Sequence, residues 1–98
     1  MKIHISGKSL DTGDAVKAHV EKHLVHVVDK YFENALDAHI TLGKQNHSFT
    51  VLIAIHIGHD IYVRGSAEAD QPYPAIDQAI HVIEKNLRRY KKRLREHH

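Results

Sequence analysis

FTVLIAIHIGHDIYVRGSAEA, residues 49 to 69, decides the fold. Phe49, Val51, Ile53, Ile55 and Ile57 recur at every second position, and this period in β-branched residues predicts a long half-buried strand. Gly58-His59-Asp60 is a tight hairpin signal. Ile61, Val63, Gly65, Ala67 and Ala69 then carry the inward row back along a second strand.

The pattern extends outward on both sides. Upstream, Ala38, Ile40 and Leu42 alternate as a short strand, with Gly43 to Asn46 as the turn into the hairpin. At the start of the chain Met1, Ile3 and Ile5 point inward, and Lys2, His4 and Ser6 outward. Gly7 to Asp11 reads as a turn, with Asp11 or Thr12 placed to cap a helix. Val16, Val20, Leu24, Val27, Val28 and Tyr31 follow at helical spacing, so a first helix is expected from Gly13 to Phe32. Downstream, Tyr73 precedes a proline and fits an N-cap, with Pro74 at the first helical position and Asp77 near the first turn. Ile76, Ile80, Ile83, Leu87, Tyr90 and Leu94 mark one face of a second helix ending about Glu96. The order β-α-β-β-β-α predicts an α+β fold: a four-stranded mixed sheet with both helices on one face. Residues 1–98 are expected to form one domain.

Ninety-eight residues are enough to bury one core without staples. The chain has no cysteine, which excludes disulfides, thiolate metal sites and cysteine nucleophiles. MKIHIS alternates like a strand, and no apolar run of about 15 or more residues follows it. Neither a signal peptide nor a membrane span is expected, and the expected location is cytoplasmic. No G-x-S-x-G, P-loop or H-E-x-x-H occurs, and two helices on one sheet leave little room for a deep cleft. An enzyme is not expected, nor a small-molecule substrate.

The charge is unevenly distributed. Lys85 to Glu96, KNLRRYKKRLRE, holds seven cations and one acid, a local +6. Lys2 to Glu84 holds seven cations and eleven acids, a net −4. On a helical wheel with Ile76 at zero, the apolar residues fall within about 40°. Lys85, Arg88, Lys92 and Arg95 fall between about 100° and 180°, and Arg89 near 220°. Purely structural selection has little use for so many like charges at i,i+4 spacing. A cationic band on a mildly acidic body suits a polyanion, of which a nucleic-acid backbone is the commonest.

The first helix carries a second band: His19, Lys22, His23, His26 and Lys30 share one flank. A metal site built on His19 and His23 is disfavoured, because the band offers no carboxylate or thiolate and sets two lysines beside the imidazoles. No metal or cofactor is expected. His4, His39, His56, Tyr62 and Arg64 should line the open sheet face as solvent-facing residues. The aromatic ladder of a single-strand reader is missing there.

With these residues in view, the chain resembles the ribosome hibernation-promoting factor and ribosome-associated inhibitor family. The resemblance rests on SAEADQPYPAIDQAIHVIEKNLRRYKKRL (Ser66 to Leu94), above all Tyr73-x-Ala75-Ile76-Asp77 and Glu84-Lys85-Asn86-Leu87. The opening Ile3-x-Ile5-Ser6-Gly7 and the Val16-to-Val20 helix start also fit. The resemblance implies a double-stranded-RNA-binding-like fold that sits between head and body of the small ribosomal subunit. It would occlude messenger and transfer RNA sites in the decoding channel, inhibit translation and store inactive ribosomes when growth slows. Lys85, Arg88, Arg89, Lys91, Lys92 and Arg95, with Lys17, Lys22, His23, His26 and Lys30, are the residues expected to contact ribosomal RNA. The competing readings are a general double-stranded-RNA module and a histidine-rich metal-binding protein. A chain ending on its basic helix fits both a short member and the N-terminal domain of a long one. In the second case ribosome dimerisation would involve a further C-terminal domain.

Overall fold

The computed structural model describes residues 1–7 and 13–96. In chain order the elements are β1 (Lys2–Gly7), α1 (Asp14–Tyr31), β2 (Asp37–Gln45), β3 (Ser48–Gly58), β4 (Ile61–Ala69) and α2 (Pro72–Glu96). The sheet order is β1-β2-β3-β4. β1 pairs parallel with β2, and the other two pairings are antiparallel. A parallel pair needs a long connection, and α1 supplies it. The α+β reading and the mixed sheet are confirmed.

The alternation read in the sequence becomes a two-sided sheet. Ala38, Ile40, Leu42, Val51, Ile53, Ile55 and Val63 are buried beneath the helices. They meet Val20, Leu24 and Val28 of α1, and Ala75, Ile76, Ala79, Ile80, Ile83 and Leu87 of α2. Each fully buried Leu or Ile stabilises the fold by about 1.5 to 3 kcal/mol relative to exposure. No polar or charged residue is buried in this core among the described residues. Gly65 keeps β4 close to α2: a Cβ there would stand 3.1 Å from side-chain carbons of both Ile83 and Val82.

Several boundaries differ from the sequence reading. The cap expected at Asp11 or Thr12 lies outside the described residues. Gly13 is the N-cap position of α1 and Phe32 its C-cap. Gly43 does not begin a turn: β2 runs on through Gln45, and Asn46 makes the reversal with a left-handed φ of 57°. Asparagine tolerates that conformation, so the turn needs no glycine. At the second hairpin His59 takes φ 50°, with a register shift between His56 and Gly58. α2 begins at Pro72, so Tyr73 lies inside its first turn and is not the N-cap. The Gln71 carbonyl accepts the Ala75 N–H. The amide hydrogens that Pro72 and Pro74 lack belong to the first turn, which has no intrahelical acceptors for them. Asp77 consequently falls beyond the first turn. Leu94, expected on the core face, is 47% exposed. A helix of 25 residues spans about 37 Å, more than the roughly 30 Å of the nine-residue β4 beside it, and its last turn extends past the core. Every residue from Lys92 to Glu96 is exposed.

Candidate nucleic-acid interface

α2 has one apolar stripe on the core and three kinds of cationic position around it. Lys85, Arg88, Lys92 and Arg95 are exposed on the outer side, as the wheel requires. Arg89 and Arg93 are exposed on the flank toward β4, where they line a cleft with Tyr62 and Arg64. Lys91 lies on the opposite flank, toward α1. It is half-buried, donates to the Tyr31 carbonyl and sits 5.2 Å from the Phe32 ring centroid. Lys91 thus ties α2 to the end of α1 through one of its three ammonium donors.

The basic flank of α1 divides in the same way. Lys22, His23 and His26 on that flank are exposed, and so is Lys17, which lies off the flank on another side of the helix. Lys30 Nζ donates to Glu84 Oε2 of α2 at 2.7 Å. That hydrogen bond, with the opposite charge, raises the Lys30 pKa above its ordinary 10.5 and lowers that of Glu84 below its ordinary 4.5. Burial opposes both shifts, and the nearby Arg88 holds the Glu84 carboxyl lower still while opposing the Lys30 shift. His19 Nε2 donates to Asp77 Oδ1 at 2.7 Å, with the Tyr73 ring edge-on at 4.9 Å and His23 tilted against it at 4.5 Å. Asp77 and Glu84 therefore clasp α1 to α2. Arg88 stands one helical turn beyond Glu84, so the outer band of α2 runs beside this seam.

The open sheet face carries His4, His39, Tyr62 and Arg64 exposed, as expected, whereas His56 on the same face is partly buried. His4 stacks on His39 at 4.8 Å across the β1–β2 pairing. His56 stacks on Tyr62 at 4.5 Å and 9° across β3–β4. Asp37 Oδ1, buried without a hydrogen-bond partner, lies 3.5 Å from His39 Nε2 and 3.8 Å from His56 Nδ1. Among the described residues no group of three or more His, Cys, Asp or Glu side chains is arranged to hold a metal ion. No helix among them is long and apolar enough to cross a membrane.

The structure thus brings the two predicted bands together along the α1–α2 seam, but it gives Lys30 and Lys91 partners within the protein. The meeting of Arg64 and Tyr62 with Arg89 and Arg93 was not legible in the sequence. Arg93 follows Arg89 by one helical turn, which hints at a shared flank, but nothing local places β4 against it.

The match to known proteins covers this whole arrangement. Residues 3–95 fit the family described as sigma 54 modulation protein / S30EA ribosomal protein. The chain belongs to that family. A ribosome hibernation promotion factor of Bradyrhizobium diazoefficiens is 38% identical over 96 residues, which is 98% of this chain and 47% of the relative. One from Rhizobium meliloti is 31% identical over 98 residues, 100% of this chain and 52% of the relative. The chain spans about half the length of these relatives. Among solved structures, the Protein Y N-terminal domain of Thermus thermophilus superposes with a TM-score of 0.82 at 28% identity, over 92% of this chain and 99% of that one. A ribosomal subunit interface protein from Coxiella burnetii shares the fold, with a TM-score of 0.81 at 22% identity, covering 94% and 99% of the two chains.

Proposed function

We propose that this S30EA-family chain is a non-enzymatic ribosome hibernation factor acting in the cytoplasm. It binds the small ribosomal subunit in the decoding channel, where it excludes messenger and transfer RNA, inhibits translation and keeps idle ribosomes in store. The observation that carries the reading is the outer side of α2, where Lys85, Arg88, Lys92 and Arg95 stand exposed on a body of opposite net charge. Among the described residues no arginine takes part in an ion pair, and Lys30 is the sole lysine that does. The band can therefore spend its charge on phosphate. Lys17, Lys22, His23 and His26 extend the contact along α1. Lys30 and Lys91, which the sequence places with them, serve the helix clasp instead. Pairing of two ribosomes would be the work of a further domain, such as the longer relatives have room for.

The test is competition on purified small subunits. Transfer RNA and this protein should each lower the affinity of the other, and by the same factor, because the linkage is reciprocal. Simultaneous binding with no loss for either would place the protein outside the decoding channel. Equal displacement by bulk duplex RNA would favour a general RNA-binding module.

A further inference from the structure

The cleft between β4 and α2 holds three arginines from two elements. Arg64 projects from the open face of β4, and Arg89 and Arg93 stand one helical turn apart on the adjoining flank of α2. The Asn86 side-chain amide donates to the Arg64 carbonyl at 2.7 Å, tying strand to helix at this point. Among the described residues none of these guanidinium groups has a carboxylate within ion-pair distance. Like charges one turn apart repel, and a third arginine lining the same cleft adds to the cost. A structural role would have supplied an acid.

Arg64 is also held in place. Its guanidinium carbon lies 5.2 Å from the Tyr62 ring centroid. Tyr62 stacks in turn on His56, and His56 Nε2 donates to the His59 carbonyl at 2.6 Å in the β3–β4 turn. Arginine stacked on an aromatic ring keeps its fork of donors available, and holding it beforehand lowers the entropy lost on binding.

We infer that Arg64, Arg89 and Arg93 form a phosphate subsite that grips one phosphodiester of the RNA backbone, separate from the outer band of α2. Arginine forks match phosphate oxygens in pairs, and three arginines lining one cleft from two elements give it such donors on two sides. The ligand is RNA rather than free phosphate because the cleft is open and adjoins the outer band, so one strand can cross both. This inference rests on the RNA-binding reading proposed above.

The experiment measures equilibrium binding to isolated small ribosomal subunits over a salt series. It compares the parent with Arg64→Gln, Arg64→Lys, Arg93→Gln, the Arg64→Gln/Arg93→Gln pair, and an outer-band variant, Lys85→Gln/Arg88→Gln/Lys92→Gln. Arg64→Gln should bind about fivefold more weakly at about 0.15 M salt, with a salt slope smaller by about 0.7 to 0.9. Arg64→Lys should recover the slope but not the full affinity, since it keeps the charge and loses the fork. The pair should cost less than the sum of its members, because both side chains hold one phosphate. Millimolar inorganic phosphate at constant ionic strength should leave the difference between parent and Arg64→Gln intact. If it abolishes that difference, the site takes free phosphate and the RNA assignment fails. If Arg64→Gln matches the parent while the outer-band variant loses affinity, the subsite is refuted and the proposed function stands. If the outer-band variant binds like the parent, the proposed function falls first. Should Arg64→Gln lower the thermal midpoint, the slope and affinity of Arg64→Lys decide the matter.

Discussion

Neutralising the outer band of α2 should separate binding from folding. Lys85, Arg88 and Lys92 are exposed, and none of them belongs to the buried stripe beneath them. Replacing all three by Gln changes helix propensity little. It also removes like-charge pairs at i,i+3 and i,i+4, which relieves a few tenths of a kcal/mol of repulsion. The thermal midpoint should therefore stay level or rise slightly. Binding should respond differently. With a slope of about 0.7 to 0.9 per phosphate, going from 1 M to about 0.15 M salt multiplies affinity by about 4 to 5 for each contact. Three contacts together weigh about 100-fold at the lower salt, or about 3 kcal/mol. The assay is filter binding or co-sedimentation with small subunits over a salt series, alongside a circular-dichroism melt. The expected result is a loss of about 100-fold at about 0.15 M salt, a slope reduced by about 2 to 3, and curves for parent and variant that converge near 1 M. Glu21→Gln with Asp29→Asn, two exposed acids of α1, serves as a charge control and should bind as well or slightly better. A triple variant with the parent's affinity and slope would refute the reasoning, leaving the band a solvated helix surface.

Other outcomes follow from the packing. Lys91→Gln should lower the thermal midpoint by several degrees, since losing about 1 kcal/mol shifts a domain of this size by about 4 to 8 °C. Its salt slope should hardly change, because its ammonium serves the Tyr31 carbonyl; a slope reduced as much as by an outer-band substitution would return Lys91 to the interface. Gly65→Ala should destabilise the fold by about 1 to 3 kcal/mol through overpacking against Ile83 and Val82, measured by urea denaturation; an unchanged midpoint would show that α2 yields easily. The Lys30–Glu84 pair predicts a pH window with two edges. The Glu84 carboxyl is lowered, so its contribution is present above 4.5 and is lost as pH falls through its folded value; that of Lys30 is present below 10.5 and is lost above its raised value. Melts of Glu84→Gln and parent should therefore differ slightly at neutral pH and converge in acid below the lowered Glu84 value, whereas a difference that persists there would mean that Glu84 acts through packing rather than charge.

Much of this protein was legible in the sequence because its information is periodic. The two-residue alternation of Phe49 to Ala69 and the helical recurrence from Ile76 to Leu87 each state which side of an element faces apolar surroundings. With a parallel β1–β2 pair demanding the α1 crossover, these periods leave little freedom in the architecture. The outer band of α2 was legible for the same reason, since a wheel position opposite the core stripe can face only solvent. Element ends were less legible. They depend on whether orphan backbone groups find partners, which is why Asn46 and not Gly43 makes the turn, and why Pro72 opens α2.

What local pattern cannot express is which cations meet a partner from elsewhere in the chain. Lys30 and Lys91 read in sequence like their neighbours Lys22 and Lys92, yet Glu84 and the Tyr31 carbonyl, 54 and 60 residues away, claim them. Arg64 read as a lone cation on an open sheet face until β4 and α2 brought it to Arg89 and Arg93. Charge acts over a few ångströms and not along the chain. The sequence by itself therefore determined that this protein is cationic along one helix, and the tertiary structure decided which of those charges meet a partner from elsewhere in the chain.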